Sequence, residues 1–145
     1  MNPGLTPHGP GFRFVDAFEP TGPTSGQASL VLDPDAPYFA DHFPGNPLMP
    51  AVLLAECAAQ SAGILWMQES KKTDVPVFLA SIDQFRITGP VRPGDTLTTK
   101  VHLVKELGDL AQFEAECFVE QQPVARGRFM LSRQLAGAGA GAGRA

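Results

Sequence analysis

The chain has 145 residues, a mass of 15.4 kDa and a net charge of −4 at pH 7, which is the size of one folded domain. Hydrophobic residues make up 43% and charged residues 18%, a composition typical of a globular protein. The acidic balance argues against nucleic acid as the main partner. We see neither a signal peptide nor an apolar run of the roughly 20 residues that a membrane span needs.

Two short strands are predicted in the first third of the chain. The segments Phe12–Phe18 and Gln27–Leu32 are apolar or alternating, and the Pro- and Gly-rich stretch Pro20–Gly26 predicts a turn between them. A Pro-rich break at 33–37 then leads to His42, in the run His-Phe-Pro-Gly-Asn-Pro. Proline and glycine fix the backbone of such a turn, so His42 is a candidate acid–base residue.

A long helix is predicted over Ala51–Met67, because proline at position 50 suits a first helical turn and alanine and leucine follow. Apolar residues occur on all its sides, which predicts burial. The exceptions are Glu56 and Gln60, which share one face because they are four residues apart. If the Glu56 carboxyl group is buried, it needs a polar partner or a raised pKa, and a raised pKa suits a general acid. The alternative interpretation is that Glu56 lies at a surface edge of the helix.

Four strands are predicted after the helix: Val77–Phe85, Thr96–Lys105, Gln112–Glu120 and Pro123–Ser132. Consecutive strands with short connections favour an antiparallel sheet, and one early helix makes the class α+β, with the sheet wrapped around the helix. We expect a single domain over 1–134. The Ala- and Gly-rich tail, 135–145, has too little apolar surface to order itself and is predicted to be disordered.

Charge is distributed unevenly along the chain. Residues 1–70 contain one basic and seven acidic residues, a net charge of −6, whereas residues 71–145 contain ten basic and eight acidic residues, a net charge of +2. A local basic surface that recruits an acidic partner is one interpretation, and an ordinary solvated face is the other. The candidates are Lys71, Lys72, Arg86, Arg92, Lys100, Lys105, Arg126, Arg128 and Arg133.

The two cysteines, Cys57 and Cys117, lie in apolar surroundings and lack the CxxC spacing of a redox or metal site. We interpret them as reduced core residues, which predicts a cytoplasmic protein.

The run HFPGNPLMPAVLLAECAAQSAG resembles the FabA/FabZ family of 3-hydroxyacyl-[acyl carrier protein] dehydratases, and the FabZ branch more closely. Further likeness is carried by Ile-Asp-Gln-Phe-Arg at 82–86 and Pro-Val-Arg-Pro-Gly-Asp at 90–95. The resemblance implies a hotdog fold, an antiparallel sheet wrapped around a long central helix. It also implies a homodimer whose active sites are shared between the two chains, and trimers of such dimers, hexamers, occur in the family.

The same resemblance implies a mechanism. His42 removes the α-proton of a 3-hydroxyacyl thioester, and Glu56 protonates the departing hydroxyl group, which leaves a trans-2-enoyl thioester. The backbone N–H of Ala51 hydrogen-bonds the thioester carbonyl, as a free donor at a helix N-terminus is able to do. Gln60 orients the Glu56 carboxyl group.

The remaining implied site residues are Phe43 and Gly45, in the substrate-binding turn beside the histidine. The resemblance implies no metal and no redox cofactor, since the substrate arrives on the phosphopantetheine arm of an acidic acyl carrier protein. Two positions depart from the family pattern: Asp41 and Ala51 replace glycines. Two alternatives therefore stay open, an acyl thioesterase of the same fold and a non-catalytic acyl-binding subunit.

Overall fold

The computed structural model describes residues 9–41, 48–70 and 76–133. A single 3₁₀ turn over Pro10–Phe12 comes first. The helices and strands, in chain order, are β1 (Ala17–Gly22), β2 (Ser25–Val31), α1 (Pro37–Asp41), α2 (Ala51–Ser70), β3 (Phe78–Ile87), β4 (Thr96–Leu107), β5 (Leu110–Val119) and β6 (Gln122–Ser132).

The six strands form one antiparallel sheet in the order β1-β2-β4-β5-β6-β3. Helix α2 contacts every strand, so the sheet curves around it. The predicted α+β class, with an antiparallel sheet around one long helix, is confirmed. The four predicted strands that follow the helix are confirmed as well, with ends shifted by no more than two residues.

Helix α2 begins at Ala51 as predicted and ends at Ser70, three residues beyond the predicted end. The carbonyl oxygen of Pro50 accepts the first helical hydrogen bonds, from the N–H groups of Leu53 (3.0 Å) and Leu54 (3.2 Å). All residues from 57 to 66 are buried, which confirms the expectation from the apolar pattern. The first turn differs, because Val52 is 75% exposed.

The C-terminal half of α2 is anchored by aromatic packing. Trp66 meets the ring of Phe113 edge-on, with centroids 6.0 Å apart, and Phe113 stacks on Phe129 at 6.3 Å. The indole N–H of Trp66 donates to the Oε2 atom of Glu106 at 2.9 Å. The guanidinium group of Arg133 lies over the same indole ring and 3.4 Å from the same carboxylate, so the buried polar groups of Trp66 and Arg133 share a partner in the more exposed Glu106.

The prediction for the first strand was wrong in its position. Residues 13–15 belong to no strand, although Arg13 is extended, and β1 starts only at Ala17. The predicted turn was too long, since Pro20 and Gly26 face each other as a strand pair and the hairpin turns at 23–24. Proline is tolerated there because β1 is an edge strand, whose outer N–H groups need no partner.

Helix α1 was not predicted, because its five residues are too few to show a helical period. The tail at 135–145 lies outside the described residues, and so does the last residue of the predicted domain.

Candidate active site

Three of the predicted site residues, His42, Phe43 and Gly45, lie outside the described residues. The chain enters this stretch from α1 and leaves it three residues before α2. The other three, Ala51, Glu56 and Gln60, all lie on α2, and the geometry of the site is therefore built from this helix.

Glu56 lies in the second turn of α2 and is half-buried. Its Oε2 atom accepts a hydrogen bond of 3.0 Å from the side-chain Nε2 of Gln60. The predicted contact between these two residues is present, and the carboxyl group has the polar partner that its partial burial demands. It lies neither at an open surface edge nor in a fully apolar setting.

Gln60 is only 5% exposed, and both ends of its amide are hydrogen-bonded. Its Oε1 atom accepts the backbone N–H of Phe14 at 2.8 Å. Its Nε2 atom donates to the backbone oxygen of Phe12 at 2.9 Å as well as to Glu56. The segment 12–14 therefore lies against α2 through a side-chain amide, which explains why it pairs with no strand.

Cys57 adds a third link to the same segment. Its Sγ atom lies 3.2 Å from the backbone oxygen of Phe14, to which it donates. Burial raises the pKa of the Cys57 thiol, and the neighbouring Cys117 raises it further. Burial also raises the pKa of Cys117, to about 11. Both cysteines are free and buried, as predicted, and a thiol held protonated in this way is no nucleophile.

Aromatic rings surround the segment that meets Gln60. The rings of Phe12 and Phe14 contact each other edge-on at 5.0 Å, and Phe14 contacts Tyr38 of α1 at 6.2 Å. Burial is the main reason that the pKa of Tyr38 is raised. Phe12 remains 46% exposed, so an apolar ring is presented to solvent next to the backbone oxygen that Gln60 binds.

Ala51 is the first residue of α2, and within the described residues no acceptor lies in hydrogen-bonding position for its N–H. An N–H group at a helix N-terminus points out along the axis and carries part of the positive end of the helix dipole. This is the feature that the sequence predicted for a carbonyl-binding donor.

Charged side chains line an open groove of about 810 Å³ on the face of the sheet away from α2. Arg86 and Arg126 are direct cross-strand partners there, and no carboxylate of the described chain lies within ion-pairing distance of either. Arg128, by contrast, lies 3.4 Å from Asp83 and 3.5 Å from Glu114.

Only part of the predicted basic surface exists as one surface. Arg86, Lys100, Arg126 and Arg128 line the groove. Arg92 and Lys105 lie elsewhere, Arg133 is buried, and Lys71 and Lys72 fall outside the described residues. The sequence could not separate these groups, because cross-strand register decides which residues become neighbours.

Within the described ranges, no group of three or more His, Cys, Asp or Glu side chains is placed to hold a metal ion. No helix in those ranges has the length and apolar character to cross a membrane.

A six-stranded antiparallel sheet wraps around a central helix, and this arrangement defines a hotdog-fold protein. The hydrogen-bonded carboxyl group of Glu56 on that helix is a candidate acid–base site. A chain of the dehydratase heterocomplex ApeI:P from Xenorhabdus doucetiae has the same fold, with a TM-score of 0.76 and 16% identity over 92% of this chain and 90% of that one.

The family model described as a FabA-like domain matches residues 6–128. A 3-hydroxyacyl-[acyl-carrier-protein] dehydratase FabZ from Herpetosiphon aurantiacus is 34% identical over 88% of this chain and 92% of its own length. The FabZ of Syntrophobacter fumaroxidans is 40% identical over 66% of each chain. The chain therefore belongs to the FabA-like family, which confirms the resemblance stated above.

Proposed function

We propose that this chain removes water from 3-hydroxyacyl thioesters carried on acyl carrier protein, giving trans-2-enoyl thioesters for fatty-acid or related acyl-chain synthesis. The observation that carries the proposal is the half-buried carboxyl group of Glu56, fixed by Gln60 on the central helix. Family membership and the FabZ relatives support the same reaction.

In this reaction His42 takes the α-proton, and the electron pair of that C–H bond forms the new double bond as the C3–O bond breaks. Glu56 gives its proton to the leaving oxygen, so that water departs and a carboxylate remains. The N–H of Ala51 stabilises the negative charge that develops on the thioester oxygen. Exchange with solvent then returns the His42 proton to bulk water and reprotonates Glu56.

The experiment that tests the proposal is incubation of the protein with a 3-hydroxyacyl–carrier protein thioester, followed by mass analysis of the acyl chain. Loss of water is expected. Release of a free thiol would instead identify the thioesterase, and tight binding with unchanged substrate would identify the acyl-binding subunit. The fold alone does not separate these three activities, because one fold hosts many chemistries.

We also propose that the active form is a homodimer that pairs through β3. This edge strand has ten residues, lacks proline and exposes Leu79, Ile82 and Ile87 by 39–48%. A long edge strand that exposes apolar side chains is a template for another strand, whereas the opposite edge, β1, has only six residues and contains Pro20.

A shared active site fits this arrangement. The Ala51 N–H points toward the N-terminus of α2, and Glu56 lies five residues, or about 7.5 Å along the axis, in the other direction. We therefore assign His42 and Ala51 of one chain and Glu56 of its partner to one site. A hexamer made of three such dimers belongs to the same proposal.

Replacing Ile82 by lysine is expected to convert the dimer to monomers and to abolish dehydration, because a charge would replace one of the exposed apolar side chains of the paired edge and each site needs both chains. Sedimentation measures the mass and product analysis the activity. The matched control is Val104→Lys, at a residue of similar exposure (42% against 48%) on an interior strand. A dimeric, active Ile82→Lys protein would contradict the proposed interface.

The carrier protein is proposed to dock on the groove, at Arg86 and Arg126. Two arginines directly opposite each other repel. Glu116 faces Arg126 on the neighbouring strand, but no ion pair joins them in the described chain, so an acidic partner can relieve the repulsion further. The chain as a whole is acidic, so such a partner has no comparable attraction to the rest of it.

Replacing Arg86 and Arg126 together by glutamate is expected to raise the KM for a carrier-borne substrate about tenfold, since the groove would then repel an acidic surface. The reaction of a small pantetheine thioester should be unchanged. Steady-state kinetics on the two substrates makes the comparison, with Lys105→Glu as the control outside the groove. Equal effects on both substrates, or none on either, would reject this docking site.

Placement in the cytoplasm is part of the proposal, supported by the two free, buried thiols. No metal or redox cofactor is proposed, since each step uses proton transfer and one hydrogen-bond donor.

A further inference from the structure

The hydrogen bonds of Gln60 leave its amide no alternative orientation. The backbone N–H of Phe14 can only donate, so it must meet the amide oxygen, and the distance to Oε1 is 2.8 Å. The backbone oxygen of Phe12 can only accept, so it must meet the amide nitrogen, at 2.9 Å. Rotation of the amide by 180° would place a donor against a donor and an acceptor against an acceptor in a buried position.

The amide nitrogen has two hydrogens, and both are used. One goes to Phe12 and the other to the Oε2 atom of Glu56, 3.0 Å away. Gln60 therefore acts on Glu56 only as a donor. In a protonated carboxyl group the carbonyl oxygen is the better acceptor, so a fixed donor at Oε2 favours the proton on Oε1.

We propose, resting on the dehydratase function above, that the main chain at residues 12–14 belongs to the positioning apparatus of the acid. The N–H of Phe14 and the oxygen of Phe12 fix the Gln60 amide, and the amide fixes Glu56 so that its Oε1 atom delivers the proton to the leaving hydroxyl group. Phe14 is thus a positioning residue through its backbone, and Gln60 is the link between it and the acid.

A variant pair separates the backbone N–H of residue 14 from its ring. Phe14→Pro removes both, whereas Phe14→Ala removes only the ring. Arg13 has φ −105° and ψ 117°, the extended conformation favoured before proline, so the residue that precedes position 14 is compatible with a proline there. The difference between the two variants measures the contribution of the N–H.

The readout compares two leaving groups on the same pantetheine thioester. Loss of water from the 3-hydroxyacyl compound needs a proton on the leaving oxygen, whereas loss of chloride from the 3-chloroacyl compound needs none. We expect kcat for water loss to be about tenfold lower in Phe14→Pro than in Phe14→Ala, because the catalytic acid would be misplaced. The kcat for chloride loss should be the same in both variants. Gln60→Met, which leaves residue 14 intact, should show the same selective loss.

Three results would overturn the inference. Equal water loss in Phe14→Pro and Phe14→Ala would show that the N–H contributes nothing to the acid. A Gln60→Met protein that slows water and chloride loss equally would show a merely structural contact, and this outcome is decisive even where Phe14→Pro does not fold. Absence of water loss in the unaltered protein would reject the dehydratase function itself, and the two failures are therefore distinguishable.

Discussion

Replacing Glu56 by glutamine is expected to lower kcat for water loss by about 10²- to 10⁴-fold, the usual contribution of a general acid. Glutamine has nearly the same shape as glutamate. Its side-chain oxygen can still accept the hydrogen bond from Gln60 that the Oε2 atom of Glu56 now accepts. It carries no proton that it can transfer to the leaving oxygen. The fold should therefore survive while the chemical step fails, which steady-state kinetics beside a thermal unfolding curve will show.

The control for this substitution lies on the same helix. Glu69 is exposed near the end of α2, and Glu69→Gln makes the same chemical change away from the site. It should leave kcat unaltered. If Glu56→Gln kept most of the activity, the acid would have to be another group.

Replacing His42 by alanine should reduce dehydration as strongly as Glu56→Gln does, because the α-proton then has no base.

Replacing Phe113 by alanine is expected to reduce the free energy of unfolding by about 3–5 kcal/mol, the range for a large aromatic residue in a core. Phe113 is fully buried between Trp66 and Phe129, and its loss would leave a cavity against both rings. This is a large fraction of the total stability of a small domain. Urea unfolding measures the change.

Phe118, on the same strand, provides the comparison. It is only half-buried, with the Lys100 ammonium group 5.0 Å from its ring centroid. Phe118→Ala should therefore destabilise the protein by clearly less than Phe113→Ala. Equal losses would mean that the packing of Phe113 between Trp66 and Phe129 is not the centre of the core.

The parts of the fold that the sequence predicted well are those with a strong period. Strands β4 to β6 alternate in polarity, and α2 is apolar on all sides over more than four turns. The N-terminal segment was misplaced because residues 13–15 have the composition of a strand, while their hydrogen bonds go to side chains of α2. Composition predicts an extended backbone, but it does not predict the groups to which that backbone is hydrogen-bonded.

The site likewise contains residues that the sequence could predict and residues that it could not. Glu56 and Gln60 could be paired from the sequence, because a spacing of four residues puts side chains on one face of a helix. The role of Phe14 could not be predicted, since a main-chain N–H is common to every residue except proline and has no signature. Arg86 and Arg126, forty residues apart in the chain, likewise became neighbours only through the register of β3 and β6.

The measurement that tests the central claim most directly is the position of heavy oxygen after the protein is incubated with a trans-2-enoyl–carrier protein thioester in heavy-oxygen water. A dehydratase runs its reaction in reverse as well, so the account predicts label in a new 3-hydroxyl group, and none when Glu56 is replaced by glutamine. Label in a released carboxylic acid would mark a thioesterase. No label at all would contradict catalysis by this site.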